Sequence, residues 1–523
     1  MIVICTALCG MTVDSVAQEP SPQLELDEYR IVGRDTRVFQ IMGDRLSTVG
    51  YVSDPLDLPD EERSIETSQG LIGNDERLVR IEPSEVVYGP YMRGKILSGS
   101  NTAADLWGKL SLSGMGPGGS MEIASRMSEE NTPANDAPSM QRLNAVGYFG
   151  GTGTRLSAGF GYTGENDDLF GERFRSRFRE AGRYIVDATL RTGLGEWETA
   201  GRIALDGGAF KDDELPYDED EFNMAGKLSL RRDISDITVD SDTEAVQMSF
   251  ADTDGYLVTT GVRGVMLLWS DFSLRAGAKL AVSSVADEDT EFRVLPETGF
   301  DWALTRSTYL KMSYAPDVVS FSHGELYNKN GLIAPEPMLV EYRKIAVDGE
   351  FGWRFGDGKL LTLGMFHTTS ENALVFDRTG DFFTLANGGD VDMTGFTVGA
   401  VYDRGGWWGF DGGLTIRDAS WDDPGEVPYV PSFETVVDGY LAPVGKWKVY
   451  GTLRVLGEHY ISAGSDDTED GFFTVDVGVE RELLDILSAF VEVRNLTNSD
   501  GAWWTSQYEI PGTGLYGGLK TGF

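Results

Sequence analysis

Apolar and polar residues alternate with a period of two over segment after segment of this chain. Phe222 to Arg231 (FNMAGKLSLR), Phe272 to Ala281 (FSLRAGAKLA), Trp447 to Val455 (WKVYGTLRV), Phe473 to Glu480 (FTVDVGVE) and Ala489 to Leu496 (AFVEVRNL) each place Phe, Met, Leu, Val, Ala or Gly on one face. The other face carries Lys227 and Arg231, Arg275 and Lys279, Lys448 and Arg454, Asp476 and Glu480, or Glu492 and Arg494. Period two marks β-strands with two chemically different faces. A soluble sheet buries its apolar face and wets the charged one, so alternation by itself leaves a soluble β-sandwich array and a membrane barrel both open.

The spacing of the segments separates the two. From about residue 86 onward, short connections (Gly356-Asp357-Gly358, Asp403 to Gly406, Pro443 to Lys446) alternate with long ones (Thr163 to Ala181, Gly207 to Glu221, Ala315 to Leu339, Ala419 to Pro431). Short turns at one rim and long loops at the other are the mark of a transmembrane barrel. Counted back from the carboxy terminus, strands are expected to start near 511, 486, 470, 446, 432, 406, 390, 359, 340, 305, 290, 270, 254, 240, 222, 195, 180, 152, 139, 117 and 104. A barrel with both ends in the periplasm needs an even count. Val86 to Leu97 (VVYGPYMRGKIL), with Pro90 inside it, supplies the further strand. The expected fold is therefore all-β: an outer-membrane antiparallel barrel of about 22 strands, residues 86–523, behind a short periplasmic segment.

Composition agrees. The chain of 523 residues is 41% hydrophobic with 65 Gly, 26 Phe, 20 Tyr and 11 Trp, and no apolar run approaches the ~20 residues of a membrane helix. Residues 1–17, with an apolar run from Met1 to Met11 and Ser15-Val16-Ala17 before Gln18, read as a signal peptide, though no Lys or Arg precedes the run. Both cysteines, Cys5 and Cys9, fall inside it, so the mature chain holds no disulfide or thiolate metal site. The net charge of −40, from 84 acidic and 44 basic residues, excludes nucleic acid as a natural partner. The acids gather at Glu165 to Asp168, Asp212 to Glu221, Ala286 to Glu291, Asp422-Asp423 and Asp466 to Asp470, which read as loop tips. There they solvate the loops, bridge through cations to anionic outer-membrane lipid, or steer a cationic or metal-bearing solute.

In the last nine residues Leu515, Gly517, Leu519, Thr521 and Phe523 share one strand face and Tyr516 and Lys520 the other. That strand, ending in Phe, resembles the carboxy-terminal signal read by the outer-membrane barrel assembly machinery. Farther upstream, Phe321 to Asn328 (FSHGELYN) followed by Pro335 to Glu341 (PEPMLVE), Leu361 to His367 with Asn387, and Asp392 to Phe396 all resemble the barrel domain of the TonB-dependent receptor family. So do Pro431-Ser432-Phe433 and, most specifically, Phe490 to Asn498 (FVEVRNLTN) with Pro511-Gly512 and the terminal Phe523. The resemblance covers residues 305–523 by motif and 86–304 by architecture.

The family implies a plug inside the barrel and a short strand-forming box that pairs with a TonB-type energy transducer. Asp27-Glu28-Tyr29-Arg30-Ile31-Val32-Gly33, after Leu26, resembles that box. A plug is another matter. Twenty-two strands ~4.8 Å apart and tilted ~40° close to a backbone diameter of ~44 Å. The lumen, ~30 Å wide and ~30 Å tall, holds on the order of 150 packed residues. Residues 18–85 number 68. Either they form a partial plug, a separate plug or lipoprotein partner blocks the pore, or inward-folded loops constrict it.

The function expected from the resemblance is import of a small solute such as a metal chelate, vitamin or oligosaccharide. A non-energised porin-like channel and a structural barrel that scaffolds a partner complex are the alternatives. Phe321, Tyr327, Trp503, Trp504 and Tyr508 are the loop aromatics expected to meet solute, while Trp407, Trp408 and Trp447 suit an interfacial girdle. His323, His367 and His459 form no pair at metal-ligand spacing, and none has a nucleophile and acid beside it in sequence, so neither an enzyme nor a cofactor is expected.

Overall fold

The computed structural model describes residues 91–522 apart from 100–101, 114–119, 131–138, 151–153, 169–177, 213–216, 236, 251–252, 270, 286–289, 322, 324–338, 357–358, 380–381, 388, 404–406, 422–424, 443–444, 462–466, 485, 502–509 and 511. All of them belong to the unit Val38–Phe523. Residues 1–90, with the expected signal peptide and the stretch expected to meet a transducer, lie outside the described residues.

One antiparallel sheet of 24 strand segments closes on itself. The first strand, Tyr91–Gly99, pairs on one side with Thr102–Ser113 and on the other with the last strand, Gly514–Gly522, where Arg93 faces Gly522 and Gly99 faces Tyr516. Thr308–Tyr314 and Asp317–Phe321 both pair with Leu339–Gly356 and form one interrupted stave. Gly425–Glu426 is a stub on Trp408–Trp421. The wall therefore has 22 staves, the number the spacing predicts. Their starts follow the expected positions closely. The widest departures are at 222, where the strand begins at Tyr217, and at 86, where it begins at Tyr91.

Alternation sorts the faces as lipid requires. Ile203, Val262, Phe292, Met365 and Leu515 are more than half exposed on the outside, while their sequence neighbours point into the lumen. Phe292 and Trp302 bracket one strand and Phe473 and Leu483 another. Each pair is about ten residues apart, which spans ~25 Å at the usual tilt and matches the apolar band of an outer-membrane barrel. Trp269, Trp302, Trp353, Trp407 and Trp447 are exposed beside the short turns, and Arg481 lies 4.9 Å from the Trp447 ring. Trp408 stacks on Tyr402 at 4.2 Å.

The glycine and aromatic content has a geometric use. Tyr450 faces Gly478 across the ladder, and a Cβ on Gly478 would meet the Tyr450 ring at 2.2 Å. Phe490 lies over Gly518 in the same way, with a contact of 2.7 Å. A ring laid across a glycine shields the backbone bonds that the missing side chain would expose.

Two expectations need correction. The acids of Glu165 to Asp168, and in the run Asp212 to Glu221 Asp212 and Asp218 to Glu221, lie in the strands Thr154–Asp168, Trp197–Asp212 and Tyr217–Ile234 and not at loop tips, while 213–216 lie outside the described residues. At 15, 16 and 18 residues these strands are longer than the ~10 residues that span a membrane. The stretch Ala315 to Leu339 is likewise not one loop, since Asp317–Phe321 is paired strand.

Candidate functional site: a hairpin across the lumen

Strand Thr308–Tyr314 pairs with Glu291–Trp302 only from Trp302 up to Thr298. Above that level Ala315 and Pro316 interrupt the ladder. Proline has no N–H to give, and a register shift lies opposite, between Arg343 and Ile345. The segment beyond, Asp317–Phe321, parts from Glu291–Trp302 and stays hydrogen-bonded to Leu339–Arg343, whose Tyr342 and Arg343 remain paired with Lys359–Glu371. The burial proves the direction. Val318, Val319, Ser320 and Phe321 are 2%, 2%, 2% and 8% exposed, so neither face of this hairpin looks at lipid.

Its contacts are with the inner face of other staves. Asp317 lies 4.0 Å from Lys279 on Phe272–Val285. Val318 joins a cluster with Ala204, Ala225, Val246, Met248, Leu257, Ala281 and Leu295, against which Val340 and Tyr342 also pack. Just past the strand, His323 is fully buried with its ring 4.7 Å from Phe210 and 4.5 Å from Phe250. Burying an aliphatic side chain of this size contributes roughly 1.5–3 kcal/mol, so the apolar contacts outweigh the long Lys279–Asp317 ion pair.

A second inward cluster braces the neighbouring loops. Phe366, Val391, Met393 and Trp421 from the wall meet Ala373, Val375, Val427 and Val430 from the long connections. Tyr429, buried with φ of 60°, donates its N–H to the Tyr460 carbonyl at 2.7 Å, and Ser432 donates to the Glu458 carbonyl at 3.3 Å. The long-loop rim is thus tied together at its base.

The rest of the lumen wall is polar and internally paired. Arg417 and Glu434 meet at 3.1 Å with side chains 2% and 6% exposed. Arg454 binds Asp476 at 2.6 Å, Lys227 binds Glu244 at 3.3 Å, and Lys520 binds Glu480 at 3.0 Å. Arg494 pairs with Glu492 and lies 4.4 Å from the Tyr516 ring, and Tyr450 donates its hydroxyl to Glu492 at 3.1 Å. The motif Glu492 to Asn498 is a clamp on the last strand. Asn495, with φ of 47°, receives the Ser499 N–H on Oδ1 at 3.0 Å and gives its own N–H to Asp476 at 2.8 Å. Its carbonyl accepts from the Thr513 hydroxyl at 2.8 Å, and Asn498 Oδ1 accepts the Thr513 N–H at 3.1 Å.

Of the residues singled out by sequence, Phe321 is among the described residues. It lies at the end of the strand Asp317–Phe321, 8% exposed. Tyr327, Trp503, Trp504 and Tyr508 lie outside the described residues, as does Phe523. Leu515 and Leu519 are exposed on the outer face and Tyr516 is buried on the inner one. Gly517 and Thr521 lie in the same strand, and Thr521 donates to the Ile486 carbonyl at 2.9 Å. His459 is buried at the base of its loop. Among the described residues, no three His, Asp or Glu side chains are arranged to hold a metal ion. Sequence reasoning missed the cluster around Leu295. Its signal was there: Val246, Met248, Leu257, Ala281 and Leu295 are apolar on the face that elsewhere carries charge.

A closed wall of 22 antiparallel staves with an apolar outer band, aromatic rims, a paired polar lumen and an inward hairpin defines a large transmembrane β-barrel. The chain belongs to the TonB dependent receptor-like, beta-barrel family, whose model matches residues 116–496. Members of this family are receptors and transporters of the Gram-negative outer membrane, working with TonB energy transducers. The fold is similar to that of the copper transporter OprC, with a TM-score of 0.66 and 13% identity over 83% of this chain and 80% of that one. It is also similar to the siderophore receptor PiuA from Acinetobacter baumannii, with a TM-score of 0.65 and 12% identity over 83% and 82%. The FrpB iron transporter from Neisseria meningitidis gives 0.65 and 12% over 83% and 81%. At such identities the likeness is one of fold. No curated protein sequence matches the chain.

Proposed function

We propose that this protein imports a small metal-bearing solute across the outer membrane, driven by a TonB-type transducer. The observation that carries the reading is the segment Asp317–Phe321, paired with Leu339–Arg343 but parted from Glu291–Trp302 and packed through Val318 on the inner face of neighbouring staves. A barrel this wide needs a closed resting state, and an inward hairpin supports a receptor over an open channel. The metal is favoured over a vitamin or oligosaccharide by the copper and iron solutes of the similar structures. The acid runs at the long-loop rim, in a chain of net charge −40, attract cations. In this reading Tyr327, Trp503, Trp504 and Tyr508 capture the solute, and Asp27 to Gly33 offers a strand edge to the transducer.

The test is uptake of radiolabelled copper and of ferric chelates by cells expressing the protein, with and without a protonophore. Uptake abolished by the protonophore, and by deletion of residues 27–33, is the expected result. Uptake unchanged by both would overturn the reading in favour of a porin-like channel. Planar-bilayer conductance of the refolded protein, with and without residues 18–85, reports separately whether that segment adds to the closure.

A further inference from the structure

The lipid face of the wall carries cations where the apolar band ends. On Phe472–Leu484 the alternation turns Phe473, Val479 and Leu483 outward, and Arg481 stands between the last two, exposed on the same side. Its cross-strand neighbour is Trp447, half exposed, whose ring lies 4.9 Å from the guanidinium. The pattern recurs elsewhere on the wall. Lys359 faces Tyr402 across the ladder with its Nζ 4.9 Å from the ring, on the side of Leu363 and Met365. Both pairs lie near strand ends at the short-turn rim, which is the periplasmic one in a barrel whose two ends lie together there.

A charged side chain on a lipid-facing strand is costly unless its head reaches the headgroup layer, and the stems of Arg and Lys are long enough to carry it there. What that layer offers is phosphate. The acids on either side of Arg481 along its own strand are bound to other cations: Glu482 to Lys446 at 2.8 Å and Glu480 to Lys520 at 3.0 Å. A third outward cation at this rim shows the other arrangement. Arg232, on the side of Leu228 and Ile234, lies 5.6 Å from the Trp197 ring but is already bound to Glu196.

We infer that Arg481 with Trp447, and Lys359 with Tyr402, are two seats for the phosphate of an anionic glycerophospholipid of the periplasmic leaflet. A guanidinium matches two phosphate oxygens at once, and an ammonium meets them as a point charge. The ring beside each cation sits at the depth of the glycerol esters, where amphipathic aromatics settle. Val479 and Leu363, next along the lipid face, then meet the start of the acyl chains. A net anionic headgroup is favoured over a zwitterionic one, whose own ammonium repels the seat. Arg232 makes a weaker seat, because Glu196 competes for it. The inference concerns the outer wall and stands apart from the import reading.

Lipid retention read by native mass spectrometry tests it without any transport step. The full-length protein, purified in detergent and checked for the heat-modifiable, folded band, is titrated with dioleoylphosphatidylglycerol and with dioleoylphosphatidylethanolamine. The parent is expected to retain the first in preference to the second. A cation near the membrane surface changes affinity about fivefold. Arg481→Gln and Lys359→Gln are therefore each expected to weaken phosphatidylglycerol retention about fivefold at one seat, and the double variant to lose the preference. Lys448→Gln removes the same charge from the inner face, beside Trp447 and 5.4 Å from the Tyr440 ring, and is expected to leave the preference intact. Should Gln at 481 prevent folding, Arg481→Met, apolar on the lipid face, replaces it. Equal retention of the two lipids by the parent, a preference kept by the double variant, or a loss as large in Lys448→Gln overturns the seats.

Discussion

Lys279 and Asp317 stand 4.0 Å apart although their strands are separated in the sheet by Glu291–Trp302. The contact reaches over that strand on the inner face, where the stave that begins at Thr308 has parted from it beyond Tyr314. The energetics rank its supports. The ion pair is long and part-exposed and is expected to contribute no more than about 1 kcal/mol. Lys279→Met is therefore expected to leave planar-bilayer conductance near that of the parent protein.

Val318→Asp should behave differently. A carboxylate driven into the Leu295 cluster loses its hydration without a partner, at a cost of several kcal/mol. The hairpin is expected to leave the lumen while the barrel, whose ladder does not depend on it, stays heat-modifiable on gels. Larger or more frequent conductance steps than in the parent measure the effect. Unchanged steps would show that the hairpin does not narrow the pore.

Among the described residues Arg417 and Glu434 form the most deeply buried ion pair on the lumen wall. Glu434→Ala strands a buried guanidinium and is expected to cost about 3–5 kcal/mol in urea unfolding from detergent. The double replacement Arg417→Met with Glu434→Leu removes both charges and is expected to recover most of that loss.

Gly478 has no room for a side chain beneath Tyr450, whereas a Cβ at Gly226 meets nothing within 4 Å. Gly478→Val is thus expected to destabilise the barrel by about 1–3 kcal/mol. Gly226→Ala is expected to be close to neutral, and the pair compared by thermal loss of the folded gel band separates crowding from a general intolerance of substitution.

Asn495 combines a left-handed backbone with side-chain hydrogen bonds, its Oδ1 accepting the Ser499 N–H and its Nδ2 donating to the Ser499 carbonyl at 2.9 Å. Asn495→Gly keeps the conformation and loses the side-chain bonds; Asn495→Ala loses both. The expected order of stability is parent, then Gly, then Ala, with Ala lower by about 1–3 kcal/mol. An equal loss in the two variants would mean that the backbone angle carries no weight.

The staves were legible because alternation and turn spacing are local. Phe272 to Ala281 shows its two faces without knowledge of any neighbour. What was not legible is who faces whom. Lys227 finds Glu244 and Arg454 finds Asp476 only once the register is set. The hairpin was hidden for a related reason: Pro316 announces a break, but only the apolar inner face across the lumen decides that the chain beyond it turns inward. The acid run before Phe222 was misplaced because charge suggests a loop, while ladder bonds to Trp197–Asp212 hold it as strand.

That last correction bears on how the cell surface can change. Asp218, Glu219 and Asp220 pair with Lys211, Phe210 and Ala209, so this stretch of the outward-facing rim is built of paired backbone. A one-residue insertion or deletion within it would turn the side chains beyond it in that strand to the opposite face. A bacteriophage fibre or an antibody that grips this collar therefore meets an epitope that can evade it by exchanging side chains but not by changing length.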